Sequence, residues 1–287
     1  MEQYCIMMDV SGDIEEELIQ KYSLRFIPME YSLGDEMRVC HDKEPEEVLK
    51  RFYDGQRGGD LTRTTQINPQ IYEENFESIL KMGTSILYLC LSGGLSQTYQ
   101  SALKAKAALK EKYPDADVFV VDSLAATGGM GVLCERACRN REKGMSVQEN
   151  FEDIVAATGK VRHWFMVRDL MYLKRGGRIG AATAVVGSLL GIRPILKIDE
   201  TGKLVTIDKK RGDNGAVNAL VERFRQTYDG GDDVVYIIHS DAADLAASLK
   251  KKIQAEYPKV TIRESMLSPI IGAHTGPGMI AVCHIGK

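Results

Sequence analysis

The sequence predicts an α/β protein in two lobes: an N-terminal parallel-sheet α/β domain over residues 1–160 and a C-terminal mixed α+β domain over residues 161–287. Three observations carry this reading. A chain of 287 residues is too long for one simple core and fits two domains of ordinary size. Its first half alternates short apolar runs with helix-length segments, the pattern of a parallel sheet with helices on both faces. Its second half contains two apolar runs flanking Asp199-Glu200-Thr201-Gly202, a β-hairpin signal that introduces antiparallel pairing.

The elements follow in order. Tyr4–Met8 is a short apolar strand ending at Asp9-Val10-Ser11-Gly12-Asp13, and Ile14–Tyr22 is helical. Leu24–Met29 reads as a second strand. Gly34–Thr65 is polar and irregular, with a helix over Glu44–Asp54 and a loop over Gly55–Asp60. Asn68-Pro69 starts a helix that runs to about Met82, because Asn caps and proline suits the first helical position. Ser85–Leu91 is apolar on both faces, as a central parallel strand must be. A helix over Tyr99–Lys112, a strand over Val118–Val121 and helices over Ala125–Lys143 and Val147–Thr158 complete the first lobe. In the second, strands are expected at His163–Val167, Ile195–Ile198, Leu204–Asp208, Val234–His239, Val260–Glu264 and Met279–His284. Helices are expected at Asp169–Leu173, Gly215–Gln226 and Ala242–Glu256. Ala181–Leu190 is built from small and apolar residues.

Composition excludes several function classes. A net charge of −3 does not suit a general nucleic-acid binder, whose affinity rests on a surplus of Lys and Arg. No stretch is long and apolar enough to span a bilayer, and the first residues lack a secretory signal, so a cytoplasmic location is expected. The cysteines, Cys5, Cys40, Cys90, Cys134, Cys138 and Cys283, form no C-x-x-C pair and read as buried free thiols. Clustered Cys and His ligands for a metal are absent from the sequence pattern.

Three segments offer binding chemistry. Ser92-Gly93-Gly94-Leu95-Ser96-Gln97-Thr98 leaves the C-terminal end of a buried strand and opens a helix, the place where open α/β sheets hold ligands. Free N–H groups there attract an anion, the glycines allow close approach, and Ser92 and Ser96 add hydroxyls. Neither a Walker A lysine nor G-x-G-x-x-G spacing is present. Thr62-Arg63-Thr64-Thr65-Gln66 places further hydroxyls, Thr64 and Thr65 among them, before a helix start. Ile271–Gly278 sets His274 among three glycines and a proline, read as a rigid tight turn, and Arg211 is a fixed cation that can join it. Each segment also reads as ordinary capping, loop or turn structure. Without a G-x-S-x-G elbow or a nucleophile–base pair, and with Asp9 and Asp122 equally well explained as strand-end caps, the pattern favours binding over catalysis.

Taken together these segments resemble the DegV family of bacterial lipid-binding proteins. The resemblance spans nearly the whole chain. It rests on Met8–Asp13, Arg63-Thr64-Thr65-Gln66, Leu91–Tyr99, Val120-Val121-Asp122-Ser123, Leu173-Lys174-Arg175-Gly176-Gly177-Arg178-Ile179 and His274-Thr275-Gly276-Pro277-Gly278. Thr65 and Gly93 stand where the family usually has serine, and Gln97 where it has glycine. The resemblance implies two α/β lobes enclosing one long-chain fatty acid, with Thr64 and Ser96 at the carboxylate and Thr65, Ser92, Gly93, Gly94, Arg211 and His274 in support. An acyl chain of about sixteen carbons contributes on the order of 12 kcal/mol of burial before binding costs, leaving orientation to the hydroxyls.

The resemblance further implies a protein without turnover or cofactor of its own. Such a protein presents the fatty acid to a separate ATP-binding fatty acid kinase subunit that makes acyl phosphate for phospholipid synthesis, with transient contact at a membrane surface. Arg211 and His274 would face that partner or the phosphate. A lipid-sensing regulatory module and a stand-alone phosphotransferase or acyl hydrolase using His274 are the alternatives.

Overall fold

A computed structural model describes residues 4–180 and 191–287; the apolar segment 181–190 lies outside the described residues. The first lobe opens with β1 (Cys5–Asp9), α1 (Glu16–Tyr22) and β2 (Arg25–Ile27). A hairpin of β3 (Met29–Leu33) and β4 (Glu36–Cys40) follows, then α2 (Glu46–Gly58) and α3 (Pro69–Leu80). The lobe continues through β5 (Ile86–Cys90), α4 (Thr98–Lys112), β6 (Val118–Asp122), α5 (Thr127–Glu142) and α6 (Val147–Thr158). Its sheet has the order β2-β1-β5-β6, parallel throughout. Every residue of β5 is buried, as its unbroken apolar run requires. Asp9 ties the ends of β1 and β5 together by accepting from Leu91 N at 2.8 Å and Tyr88 OH at 3.1 Å.

The second lobe comprises β7 (Val161–Met166), α7 (Met171–Arg175), β8 (Ile192–Ile198), β9 (Leu204–Arg211) and α8 (Gly212–Thr227). It then runs through β10 (Val234–His239), α9 (Ala243–Glu256), β11 (Thr261–Met266), α10 (Pro269–Thr275) and β12 (Ile280–Ile285). Its six strands take the order β11-β10-β12-β7-β8-β9. Only β10 and β11 pair in parallel; the rest alternate, so the sheet is mixed as the hairpin signal implied. Apolar side chains of α8 and α9 cover its outer face, among them Val217, Leu220, Phe224, Leu249 and Ile253.

Between the two sheets lies α5, whose buried residues occupy all sides rather than one stripe, as a helix packed on both faces must have. Its glycines allow the close approach: a Cβ on Gly131 would stand 2.7 Å from the Tyr236 ring on β10. A second tie joins the lobes at Ser268, whose N–H donates to Asp13 Oδ1 at 2.7 Å.

The structure departs from the sequence expectations in two places that matter for the site. Leu24–Met29 is not one strand. Pro28 has no N–H to donate and separates β2 from β3, and β3 turns through Gly34 (φ 59°) to pair with β4 inside the segment expected to be irregular. Residues 269–275 are helical, so His274 belongs to α10, and the tight turn is confined to Gly276 and Gly278, both at positive φ. Ser268-Pro269 repeats the start signal of Asn68-Pro69, where Asn68 Oδ1 accepts from Ile71 N at 3.1 Å.

His284 on β12 gives the fold a measurable acid response. Its ring is fully buried beside Phe224, and burial pushes its pKa down to about 3. The unfolded chain therefore takes up a proton near pH 6.5 that the folded chain refuses until about pH 3, so stability falls as pH drops through that window. A His284→Gln variant is expected to lose less stability than the parent between pH 6.5 and 4, read from urea midpoints at each pH.

Candidate functional site

Where the lobes meet, a cavity opens that residues of both lobes line. Met29, Leu91, Phe165, Leu173, Ile198 and Met279 supply most of an apolar wall drawn from both lobes. Into this wall project Thr64, Ser96, Arg178 and His274.

Thr64 is positioned by an extended segment beside β3. Ser32 N donates to Arg63 O at 2.8 Å, Thr65 N donates to Glu30 O at 3.2 Å, and Thr64 bridges Tyr31. Extended backbone alternates its side chains, so Thr64 faces the cavity while the Thr65 hydroxyl donates to Glu30 at 2.9 Å. Thr65 and Gln66 still touch the cavity rim. Thr64 Oγ1 lies 2.8 Å from His274 Nε2. That histidine is held by its helix, because Thr62 donates to Ala273 O at 3.1 Å and Gln56 donates to Gly272 O at 3.0 Å. Its Nδ1 side packs on Gly176, where any Cβ would collide with the ring.

Ser96 sits in the loop before α4, its Oγ 2.7 Å from Thr98 Oγ1. The neighbouring Arg178 is half-buried and donates to Leu95 O at 3.1 Å and to Gly176 O. Among the described residues no carboxylate ion-pairs with it. Desolvation pulls its pKa below the ordinary arginine value, yet guanidinium stays charged at neutral pH. Burial, and secondarily the Arg178 charge, lowers the His274 pKa to about 4, so its imidazole is neutral at pH 7. The site is thus one unpaired cation, one neutral imidazole and two hydroxyls at an apolar wall, a receptor for a small anionic group attached to an apolar body.

Ser92, Gly93 and Gly94 do not line this cavity. Gly93 N donates to Asp122 Oδ1 at 3.0 Å, and Gly94 N donates to Ser92 Oγ at 3.1 Å, so neither N–H is free for an anion. Ser92 Oγ in turn donates to Gly202 O at 2.8 Å. Ser92 and Gly94 seat the β8–β9 hairpin on the first lobe, while Gly93 is tied to Asp122 within it. A Cβ on Gly94 would stand 2.6 Å from the Gly202 carbonyl, a backbone contact that cannot yield cheaply. Gly94→Ala is expected to destabilise the fold by about 1–3 kcal/mol, seen as a lower urea midpoint. Arg211 is exposed at the end of β9 and also lies outside the cavity lining.

Sequence reasoning names Arg178 only within the Leu173–Ile179 motif and gives it no role. The signal was present: Lys174-Arg175-Gly176-Gly177-Arg178 combines a glycine that admits His274 with a cation set against an apolar wall. It also overlooked Thr127 and His163, which line the cavity, since a lone histidine in an apolar strand carries no spacing signal. Among the described residues no group of His, Cys, Asp or Glu is placed to hold a metal ion. No helix among them is long and apolar enough to cross a membrane.

A family model described as "Uncharacterised protein, DegV family" matches residues 3–287. A DegV domain-containing protein of Clostridium perfringens is 33% identical over 287 residues, covering 100% of this chain and 98% of its own. Among solved structures, a fatty-acid-binding DegV family protein from Thermus thermophilus superposes with a TM-score of 0.85 at 27% identity, covering 99% of this chain and 100% of the other. DegV from Bacillus subtilis, a fatty acid binding protein, does so with a TM-score of 0.84 at 26% identity over 100% of both chains. With its parallel first sheet, mixed second sheet and match along almost its entire length, this chain belongs to the DegV family.

Proposed function

We propose that this protein binds one long-chain fatty acid in the cavity between its lobes. Thr64 and Ser96 hydrogen-bond the carboxylate, with His274 ordering Thr64 and Arg178 supplying the opposite charge. The observation that carries the reading is the unpaired Arg178 beside two inward hydroxyls in a mostly apolar cavity. The fatty acids bound by the Thermus and Bacillus relatives support it. Without an acid partner of its own, Arg178 gains most from a ligand carboxylate. The apolar wall supplies the bulk of the affinity by removing methylenes from water.

The protein then hands its ligand on rather than transforming it. A separate ATP-binding fatty acid kinase subunit phosphorylates the carboxylate in the complex, Arg211 on the exposed face serves that partner, and the protein works in the cytoplasm. The family resemblance in sequence is the support for this second step.

Mass spectrometry of an organic extract from purified, denatured protein tests the first step. A fatty acid at about one per chain is the expected result. Absence of lipid, followed by no uptake of added oleate or palmitate, would reject the fatty-acid reading. The second step is tested by pull-down from a bacterial lysate: an ATP-binding protein that phosphorylates the bound acid supports it, and a partner without kinase activity points to a regulatory module.

A further inference from the structure

The hydroxyl and the imidazole that meet in the cavity come from different lobes, Thr64 from the first and His274, on α10, from the second. Their 2.8 Å contact therefore exists only while the two backbones are held in register. Two side chains outside the cavity lining hold them. The last four carbonyls of a helix have no i+4 partner within it and must find one elsewhere. In α10, Gly272 O accepts from Gly276 N at 3.0 Å and also from Gln56 Nε2 at 3.0 Å. Ala273 O accepts from Thr62 Oγ1 at 3.1 Å. The same Gln56 Nε2 donates to Thr62 Oγ1 at 2.9 Å. Thr62 and Thr64 stand two residues apart in extended backbone and so share a face. One short segment thus meets two consecutive residues of α10, Ala273 and His274, and Gln56 braces the segment and the helix together.

Gln56 is placed for this by α2. It lies three residues after Tyr53 on the same helix face and is buried. Tyr53 donates to Leu267 O at 2.8 Å, and α2 comes so near α10 that a Cβ on Gly272 would stand 2.5 Å from the Tyr53 hydroxyl. The backbone carbonyl of Gln56 also accepts from Tyr172 of α7 at 3.2 Å, a second tie to the other lobe. Because the Thr62 hydroxyl gives its hydrogen to Ala273 O, it can only accept from Gln56, and this fixes which end of the amide faces it. Gln56 Oε1 is left buried without a partner among the described residues. A buried carbonyl without a donor is unfavourable, so the side chain is held in place by its two donations and not by full satisfaction of the amide.

We propose that Gln56 is a positioning residue of the carboxylate site, acting through Thr62 and the last turn of α10 on the Thr64–His274 pair. The inference rests on the fatty-acid reading above and adds to it a residue that never touches the ligand.

Binding of hexadecanoic acid to delipidated full-length protein provides the test, read as a double-variant cycle. Gln56→Met, which keeps the side-chain length and removes the amide, is expected to weaken binding about three- to tenfold, the equivalent of one net hydrogen bond. In a Thr64→Ala background the same change is expected to weaken it by less than about twofold, because no hydroxyl remains to be held. Thr62→Val is expected to reproduce both results, and Thr62→Ser, which keeps the hydroxyl, to restore wild-type affinity. Urea midpoints check that each variant folds, and the Thr62 variants carry the test if Gln56→Met does not. Wild-type affinity in Gln56→Met or in Thr62→Val overturns the inference and leaves the fatty-acid site standing. So does a loss as large without Thr64 as with it, which makes Gln56 a general support of the fold. Wild-type affinity in Thr64→Ala removes the pair from the head group and the inference with it. Wild-type protein that takes up no hexadecanoic acid overturns both readings.

Discussion

Removing both inward hydroxyls, Thr64→Ala with Ser96→Ala, is expected to weaken fatty-acid binding by about a hundredfold or more. On the proposed reading each hydroxyl donates to the ligand's charged carboxylate, and such bonds contribute about 1.5–3 kcal/mol apiece. Two of them therefore amount to at least ~3 kcal/mol, a little over two powers of ten. The single variants are expected to lose about tenfold each, with Thr64→Ala the more severe because it also frees His274 Nε2 from its 2.8 Å partner. Competition binding on delipidated protein measures this, with the urea midpoint as a check on folding. A double variant that retains lipid at the wild-type level would show that the carboxylate lies elsewhere in the cavity.

Arg178→Met is expected to reduce affinity by about ten- to a hundredfold. Methionine keeps much of the aliphatic stem that packs on the wall and removes the charge. The lost contribution is one charge-assisted hydrogen bond in a partly desolvated site. The same change leaves Leu95 O without its 3.1 Å donor, so the empty protein is expected to lose about 1–3 kcal/mol as well. Arg178→Lys separates the two effects: it restores charge but not the fork that reaches Leu95 and Gly176 together. Charge neutralisation is also expected to raise the His274 pKa, since Arg178 is one of the two causes that hold it near 4. Unchanged affinity in Arg178→Met would remove arginine from the head-group site.

What was legible in the sequence follows from how local each signal is. The first sheet was readable because β5 and β6 are short apolar runs followed by helix starts, and Asn68-Pro69 is a start signal that needs no tertiary context. The β8–β9 hairpin was readable from its Asp-Glu-Thr-Gly turn, and the strands extend beyond the expected limits because neighbouring strands lengthen the pairing. The β3–β4 hairpin was missed because its second strand, Glu-Met-Arg-Val-Cys, is mostly exposed and reads as polar loop. Within the site, Thr64, Ser96 and His274 line one cavity. Ser92, Gly93 and Gly94 look the same as a ligand loop in sequence, and only the arrival of Gly202 from the other lobe decides what they touch. Long-range partners of that kind leave no trace in a local pattern.

The place of β12 in the second sheet has a consequence for how the protein is made. Residues 280–285 fill the slot between β10 and β7, which pair with it on either side and with each other nowhere. During synthesis β7 leaves the ribosome long before that slot can be filled, so its Trp164-Phe165-Met166 edge waits unpaired while more than half of the lobe is still inside or attached to the tunnel. A nascent chain halted before residue 280 is therefore expected to bind chaperones and resist compaction, whereas one extended past residue 285 snaps into a protease-resistant form that can take up its ligand for the first time.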